Sequence, residues 1–368
     1  MNKKTVCHIS TVHSMYDDRV FYKECVSLVE KGYEVFFVVR NKSSETINGV
    51  KVVALPEYKS RPERFIKGGF KSLRLAMRTR AGICHFHDPE LIWIGVLLRI
   101  FGRKVVYDVH ENYSQQILYK EWISCKWVRK LVSVFFYVYE EFANLFFNAV
   151  VTVTEDIQSR FPKKKSFLVR NFPVIPDLAR CKPVERPSDK TILIYAGGLL
   201  RVRGIKELVT SLQYLDDSVV LWLIGSFDDD EYYKECCALD SWQKVVYHGY
   251  KRHDEVYNYL ISADIGVSLL YPIKNYLTSL PVKVFEYMVL KKPVVMSDFE
   301  YWKKYFAACA VFSDPTDPKM IAECIHELIC DNAKMEKMGN AGYDMICKHY
   351  SWNKEKEELF RIYKRLEQ

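Results

Sequence analysis

A strand-like run, Ile192–Ala196, leads into Gly197-Gly198-Leu199-Leu200-Arg201-Val202-Arg203-Gly204, and a helix-like segment follows. Glycines let a backbone come close to an anion, and a helix N-terminus offers unpaired N–H groups and about half a positive charge. Arg201 and Arg203 add full charges that can pair with phosphate oxygens. The same residues also fit a plain βα turn with two solvated arginines. A second stretch, NYLTSLPVKVFEYM from Asn275 to Met288, favours the phosphate reading. Pro281 suits the first turn of a helix, and the loop before it would present its amides to an anion. Glu286 falls on that helix, where a carboxylate can hydrogen-bond ribose hydroxyls beside a bound phosphate or simply face solvent. Asp228-Asp229-Asp230 has the D-x-D spacing that can hold Mg²⁺ or Mn²⁺. Here it opens a predicted helix, where acidic side chains stabilise the N-terminus, so we read it as structural.

The elements that must position these groups come in a βαβ rhythm. Strand-like runs are expected at Thr5–Ser10, Glu34–Val39, Val50–Leu55, Ile83–Phe86, Lys104–Val109 and Ala149–Val153. They are continuously apolar, as expected for parallel strands covered on both faces. Helical segments alternate with them: Asp18–Lys31, Pro62–Thr79, Pro89–Phe101 and one long helix over about Gln115–Phe147. Pro173, Pro176, Pro183 and Pro187 then mark an irregular linker over residues 171–190. The rhythm restarts with strands at Thr191–Ala196, Val219–Ile224, Lys244–Tyr247, Ile265–Leu269, Pro293–Met296 and Ala310–Phe312. Helices are expected at Gly204–Tyr214, Glu231–Leu239, His253–Ala263, Pro281–Leu290, Thr316–Cys330, Ala333–His349 and Trp352–Leu366. The expected architecture is α/β, with two Rossmann-like domains facing a central cleft: 1–175, 176–350, and a terminal helix, 351–368, packing back on the first domain. Ligands of such sheets bind beyond the carboxyl ends of the strands.

Composition bounds the partners. The chain has 368 residues, 49% hydrophobic and 27% charged, which excludes a disordered chain. The net charge of +8 suits an anionic partner. Nearly all of it lies between Lys59 and Arg80, where eight cations face Glu63 alone. Arg64, Lys67, Lys71, Arg74 and Arg78 share one helix face, beside a stripe of Ile66, Phe70, Leu73 and Met77. Such a helix can lie on an anionic membrane through residues 61–80, or it can pack its stripe on the sheet. The aromatic helix around Trp122, Trp127, Phe135 and Phe136 can add to that contact or belong to the core. No helix-turn-helix, zinc-finger or RNA-binding signature accompanies the charge, so nucleic acid is not expected. The 11 cysteines form no C-x-x-C pair and read as reduced thiols of a cytoplasmic protein. Neither a signal peptide nor a transmembrane run is visible.

The ordered set of motifs resembles glycosyltransferase family 4, of GT-B fold. It comprises SLPVKVFEYMVLKKPVVMSD, YAGGLLRVRGIKELV upstream, the N-terminal HISTVHSMYDDRVFYKECVSLVEKGYEV, ICHFHDPELIWIG, VVYDVHEN, ADIGVSLL and the terminal YSWNKEKEELFRIY. The resemblance spans nearly the whole chain. It implies retaining transfer from a nucleotide sugar, UDP rather than GDP, with no cofactor and no metal. The acceptor would be a glycan or lipid-linked sugar of a bacterial surface polysaccharide such as capsule, and the enzyme would work at the inner face of the plasma membrane. Gly197, Gly198, Arg201, Arg203, Ser279, Leu280, Lys283 and Glu286 would bind the donor. His110 and His87 would act catalytically near the transferred sugar, and His13 would face the acceptor. The family's E-x7-E pair is half matched: Glu286 is present and Thr278 stands at the first position. Two rivals stay open: a GT-B nucleotide-sugar epimerase, and a degenerate sugar-nucleotide-binding subunit, which Thr278 favours. A dehydrogenase is disfavoured because no G-x-G-x-x-G follows the first strand.

Overall fold

Runs of valine, isoleucine and phenylalanine pair side by side into two sheets because burial on both faces leaves them no other partner for their backbone groups. The structure, a computed structural model, describes residues 4–120, 123–175 and 181–368. The linker residue Pro176 and the aromatic Trp122 lie outside the described residues. The chain divides into two compact units, Met1–Asn171 with Trp352–Gln368, and Phe172–Ser351.

The first unit holds eight strands: β1 (Thr5–Ser14), β2 (Glu34–Arg40), β3 (Glu45–Ile47), β4 (Val50–Leu55), β5 (Ile83–Phe86), β6 (Lys104–Val109), β7 (Ala149–Thr152) and β8 (Ser166–Leu168). They run in the order β3-β4-β2-β1-β5-β6-β7-β8, parallel throughout except for the antiparallel edge strand β3. The strand order reverses between β1 and β5, so the loops after these strands open a crevice. One sheet face carries Val6, Ile83, Val106 and Val151 and is covered by the first helical segment and by the terminal helix Trp352–Leu366. The other carries Cys7, Ile9, Cys84, Phe86 and Tyr107 under the helices Gly69–Arg78, Ile92–Ile100 and Lys126–Asn144.

Three local expectations change. The first helix opens as a wide π-helical stretch, Asp18–Cys25, before the α-helical Val26–Glu30. The helix expected over about Gln115–Phe147 is a short one, Tyr113–Ile117, and a separate long one, Lys126–Asn144. In the basic segment Leu73 and Met77 pack on the sheet, whereas Ile66 and Phe70 are exposed. Of the five cations, two are paired: the Arg64 guanidinium bonds Glu90 through Nε (2.8 Å) and a terminal nitrogen (2.9 Å), and Lys67 Nζ donates to Glu63 Oε1 (2.9 Å). Among the described residues, no helix is long and apolar enough to cross a membrane. All 11 cysteines are unbridged; five are buried and three, Cys125, Cys330 and Cys347, are exposed.

The second unit holds β9 (Thr191–Ala196), β10 (Val219–Ile224), β11 (Val245–Gly249), β12 (Ile265–Ser268), β13 (Val294–Ser297) and β14 (Ala310–Ser313). The order is β11-β10-β9-β12-β13-β14, all parallel. The switch point lies between β9 and β12. A helix absent from the expected set, Glu300–Phe306, anchors Trp302 and Phe306 in the core.

Candidate active site

Strand alternation lines up the polar residues of the first unit. His8 on β1 is in register with His85 on β5, and His87, Asp108 and His110 follow on the same sheet face two residues at a time. Asp108 is wholly buried and takes a forked pair of bonds from Arg19, Nε to Oδ2 (3.1 Å) and a terminal nitrogen to Oδ1 (3.0 Å). Burial works to raise Asp108, but Arg19 and His110 outweigh it and hold the carboxyl well below the usual carboxylate range. Arg19 reaches this position because the π-helical turn, capped by Asp17 bonding Val20 N–H (2.8 Å), faces it into the sheet.

An ionised Asp108 can only accept, and that sets every proton along the chain beyond it. His87 Nδ1–H donates to Asp108 Oδ2 (3.1 Å), so His87 Nε2 is bare. His8 Nδ1–H donates to it (3.0 Å). The Tyr363 hydroxyl, on the terminal helix, donates to His8 Nε2 (3.0 Å) and accepts from His85 Nδ1–H (2.8 Å). This order needs three neutral imidazoles. Burial supplies that condition, pushing His8 and His85 well below the ordinary histidine value and His87 down to about 4. At the other end, His110 Nε2–H donates to Asp108 Oδ2 (2.8 Å).

Burial separates the three expected histidines. His110 keeps 14% of its side chain exposed and His13 keeps 22%. His13 Nδ1 bonds Asp17 (2.9 Å), and its ring centre lies 4.9 Å from that of His110. Burial opposes charge on His13, but the Asp17 and Asp88 carboxylates raise it above the usual value. Asp88 in turn gathers the end of β1, accepting from Thr11 N–H (2.5 Å), Val12 N–H (3.1 Å) and Ser10 Oγ (2.9 Å). His87 differs from the expectation. It is wholly buried, with both ring nitrogens bonded, to Asp108 and to His8, where the expectation put it beside the transferred sugar.

His8, Glu24, His85 and His87 bring ligand-type atoms within 4.8 Å of one another. Their chemistry does not favour a cation. His8 and His87 bond each other, and Arg19 Nε already stands 3.1 Å from Glu24 Oε1. Burial and the neighbouring Asp108 push Glu24 well above the usual carboxylate range, toward its neutral acid. Sequence reasoning missed Arg19, Glu24, Asp108, His8, His85 and Tyr363. The signal was present as His85-x-His87 and Asp108-x-His110, alternate positions at the ends of neighbouring strands.

In the second unit, β9 runs straight into Gly197, whose φ of +137° disfavours any side chain. The backbone after β10 crosses it so closely that a Cβ on Gly225 would lie 1.9 Å from Gly197 O. Two cations converge on this turn. A Cβ on Gly197 would meet Lys283 Nζ at 3.0 Å and Arg203 at 3.3 Å. Lys283 Nζ lies over the Tyr195 ring (3.5 Å to its centre) and has no hydrogen-bond acceptor among the described residues. Burial and the adjacent Arg203 push it well below the ordinary lysine value, and Glu286 works in the opposite direction. Helix Val282–Val289 carries Lys283 and Glu286, with Pro281 just before it. Ser279 is held by its carbonyl, which accepts from Trp302 Nε1 (2.6 Å), and Leu280 packs against the core. Arg201 does not join Arg203. It forks onto Glu235 (2.8 and 2.6 Å) and covers Tyr232. Asp229 caps the helix Asp230–Cys237, accepting from Glu231 N–H (2.9 Å) and Tyr232 N–H (3.3 Å), so the acidic triplet serves the helix start.

Comparisons with known proteins bear on the family and the fold. A family model described as "Glycosyl transferases group 1" matches residues 181–345, and one described as "Glycosyltransferase Family 4" matches residues 18–176. No match was found among curated proteins. Among solved structures, a sucrose-phosphate synthase from Thermosynechococcus elongatus is similar at TM-score 0.76 and 17% identity, covering 99% of each chain. A glycosyltransferase from Rickettsia africae gives 0.73 at 14% identity, covering 100% of this chain and 99% of that one. The HepE protein of Anabaena in complex with UDP gives 0.72 at 12% identity, covering 98% and 100%. The two family models together account for most of both units, and the whole-chain neighbours share their architecture: the chain belongs to glycosyltransferase family 4 and has the GT-B fold.

Proposed function

We propose that this glycosyltransferase is a retaining, metal-independent hexosyltransferase that takes its sugar from a UDP-sugar. The observation that carries the donor reading is the meeting of Lys283 and Arg203 at Gly197-Gly198, with Lys283 Nζ sheltered and lacking a hydrogen-bond acceptor among the described residues. A buried cation without a partner is costly, and a diphosphate is the partner this turn suits. Neighbouring HepE structures contain UDP and UDP-glucose, which supports UDP over GDP.

Breaking the bond from sugar to diphosphate builds negative charge on the leaving oxygen. Lys283, Arg203 and the loop amides near Ser279 and Leu280 stabilise that charge, with Glu286 on the ribose. Loss of one such group typically costs on the order of 10²–10³ in turnover. His110, oriented by Asp108, meets the transferred sugar, and His13 serves the acceptor. The acceptor is a glycan or lipid-linked sugar of a cell-surface polysaccharide such as capsule. The enzyme works in the cytoplasm, peripherally at the membrane. The exposed Lys67, Lys71, Arg74 and Arg78 support that placement.

The test is a thermal-shift comparison of UDP, GDP, ADP and CMP on the wild type, Lys283→Ala and Arg203→Ala. A ligand at about 100 times its Kd stabilises by roughly 2.7 kcal/mol. UDP should shift the wild type by several degrees, and both variants should lose the shift. No shift by any nucleotide would remove the donor reading. A UDP shift without transfer or hydrolysis of any UDP-sugar would instead favour the binding-subunit reading that Thr278 invites.

A further inference from the structure

The helix Lys126–Asn144 leaves its apolar side uncovered. Trp127, Leu131, Phe135, Val138, Phe142 and Leu145 recur at spacings of four and three, so they form one stripe along this helix and its C-terminal cap. All six are exposed, Phe135 at 74% and Leu145 at 72%. The opposite side of the same helix is in the core, with Ala143 buried and Phe136 and Tyr139 packed on the sheet. Folding therefore used only one side of an element that is apolar on both. A continuous apolar stripe of this length on a folded surface marks a binding face.

Charge selects the occupant. Lys126 and Lys130 are exposed beside the stripe, Glu140 is buried against Tyr107 and Arg160, and Glu141 is half-buried at its flank. The same helical layer of the sheet presents Phe65, Ile66 and Phe70 among the exposed Lys67, Lys71 and Arg74. Phe65 and Phe70 stand against Trp93 of the intervening helix, with ring centres 5.8 and 5.0 Å apart. Apolar and aromatic groups bordered by lysine and arginine are the composition that settles at the headgroup boundary of an anionic bilayer. A second copy of this chain would bring the same cations against each other.

We infer that the stripe from Trp127 to Leu145 inserts into the headgroup region of an anionic bilayer, while Lys67, Lys71 and Arg74 bind lipid phosphates beside it. This rests on the proposed membrane placement and is independent of the donor site. The stripe supplies the depth of insertion, and the basic helix supplies selectivity for anionic lipid.

The experiment is co-sedimentation of the full chain with phosphatidylcholine vesicles and with vesicles containing phosphatidylglycerol. The variants are Leu131→Ser with Phe135→Ser, and Lys67→Glu with Lys71→Glu. Removing an inserted Leu or Phe should cost roughly tenfold in partition each, so the first pair should lose about a hundredfold on anionic vesicles. Both side chains are exposed, and an unchanged thermal transition will show that the variant folds. If the charge pair abolishes binding and the apolar pair changes nothing, the basic helix acts alone and the inference is overturned, while the proposed membrane placement stands. If the wild type ignores all vesicles, both fall. If it is a dimer in solution that the apolar pair makes monomeric, with vesicle binding unchanged, the stripe is a self-association face and the inference is overturned.

Discussion

Removing one oxygen, Tyr363→Phe, tests the buried proton chain directly. The ring volume is kept, so no cavity forms. What is lost is the hydroxyl that donates to His8 Nε2 (3.0 Å) and accepts from His85 Nδ1–H (2.8 Å). Both imidazoles are wholly buried, so neither stranded group faces bulk solvent. A stranded buried donor or acceptor costs about 1–3 kcal/mol, so two cost roughly 4 kcal/mol. For a unit of this size each kcal/mol moves Tm by about 2–4 °C, which gives a fall on the order of 10 °C. The assay is thermal and urea unfolding of the full chain, with hydrogen exchange across Trp352–Leu366, because Tyr363 ties that helix to the sheet. Tyr250→Phe, at an exposed tyrosine, is the control and should move nothing. If Tyr363→Phe leaves Tm and the exchange of the terminal helix unchanged, the hydrogen-bonded chain from Asp108 to His85 does not exist as drawn.

Two further outcomes follow from the same structure. His87 is held near 4 by burial against an unfolded value of about 6.5. A folded value below the unfolded one means the contribution is fully present above pH 6.5 and is lost as pH falls through about 4, by up to roughly 3 kcal/mol. His8 and His85 shift the same way, so urea midpoints of the first unit should fall steeply between pH 6.5 and 4. A flat profile there would contradict the neutral assignment. Gly225→Ala should disrupt the second unit, since its Cβ would stand 1.9 Å from Gly197 O at a φ of +141°. We expect a loss of several kcal/mol, roughly the cost of a severe core defect, together with loss of the UDP shift. Near-native stability would mean that the β9 and β10 turns are not in contact.

Much of the fold was legible. Most strands of both sheets match their continuous apolar runs to within a residue or two, because a parallel strand buried on both faces needs such a run. The missed elements were those whose own residues decide little. β3 and β8 are three-residue edge strands that exist through pairing with a neighbour. Helix Glu300–Phe306 is only seven residues long. The break between Ile117 and Lys126 interrupts a pattern whose hydrophobicity continues across it. In the candidate site, sequence placed Arg203, Lys283 and Glu286 near one turn, but Arg201, two residues from Arg203, turned to Glu235. Proximity along the chain does not say which way a side chain leaves its turn.

The sequence by itself determined the two α/β units, the glycine turn after β9, the helix that carries Lys283 and Glu286, and the concentration of charge near residues 59–80. These depend on local periodicity, turn chemistry and counting. Only the tertiary structure decided that His87 is enclosed while His110 and His13 keep an open edge. It alone carried Tyr363, from the far end of the chain, to the histidines of β1 and β5, and it turned the second side of Lys126–Asn144 outward. The physical reason is one and the same. Burial and hydrogen-bond partnership are properties of what a side chain meets across the fold, and an apolar or titratable residue has the same letter whether it meets the core, another chain segment or solvent.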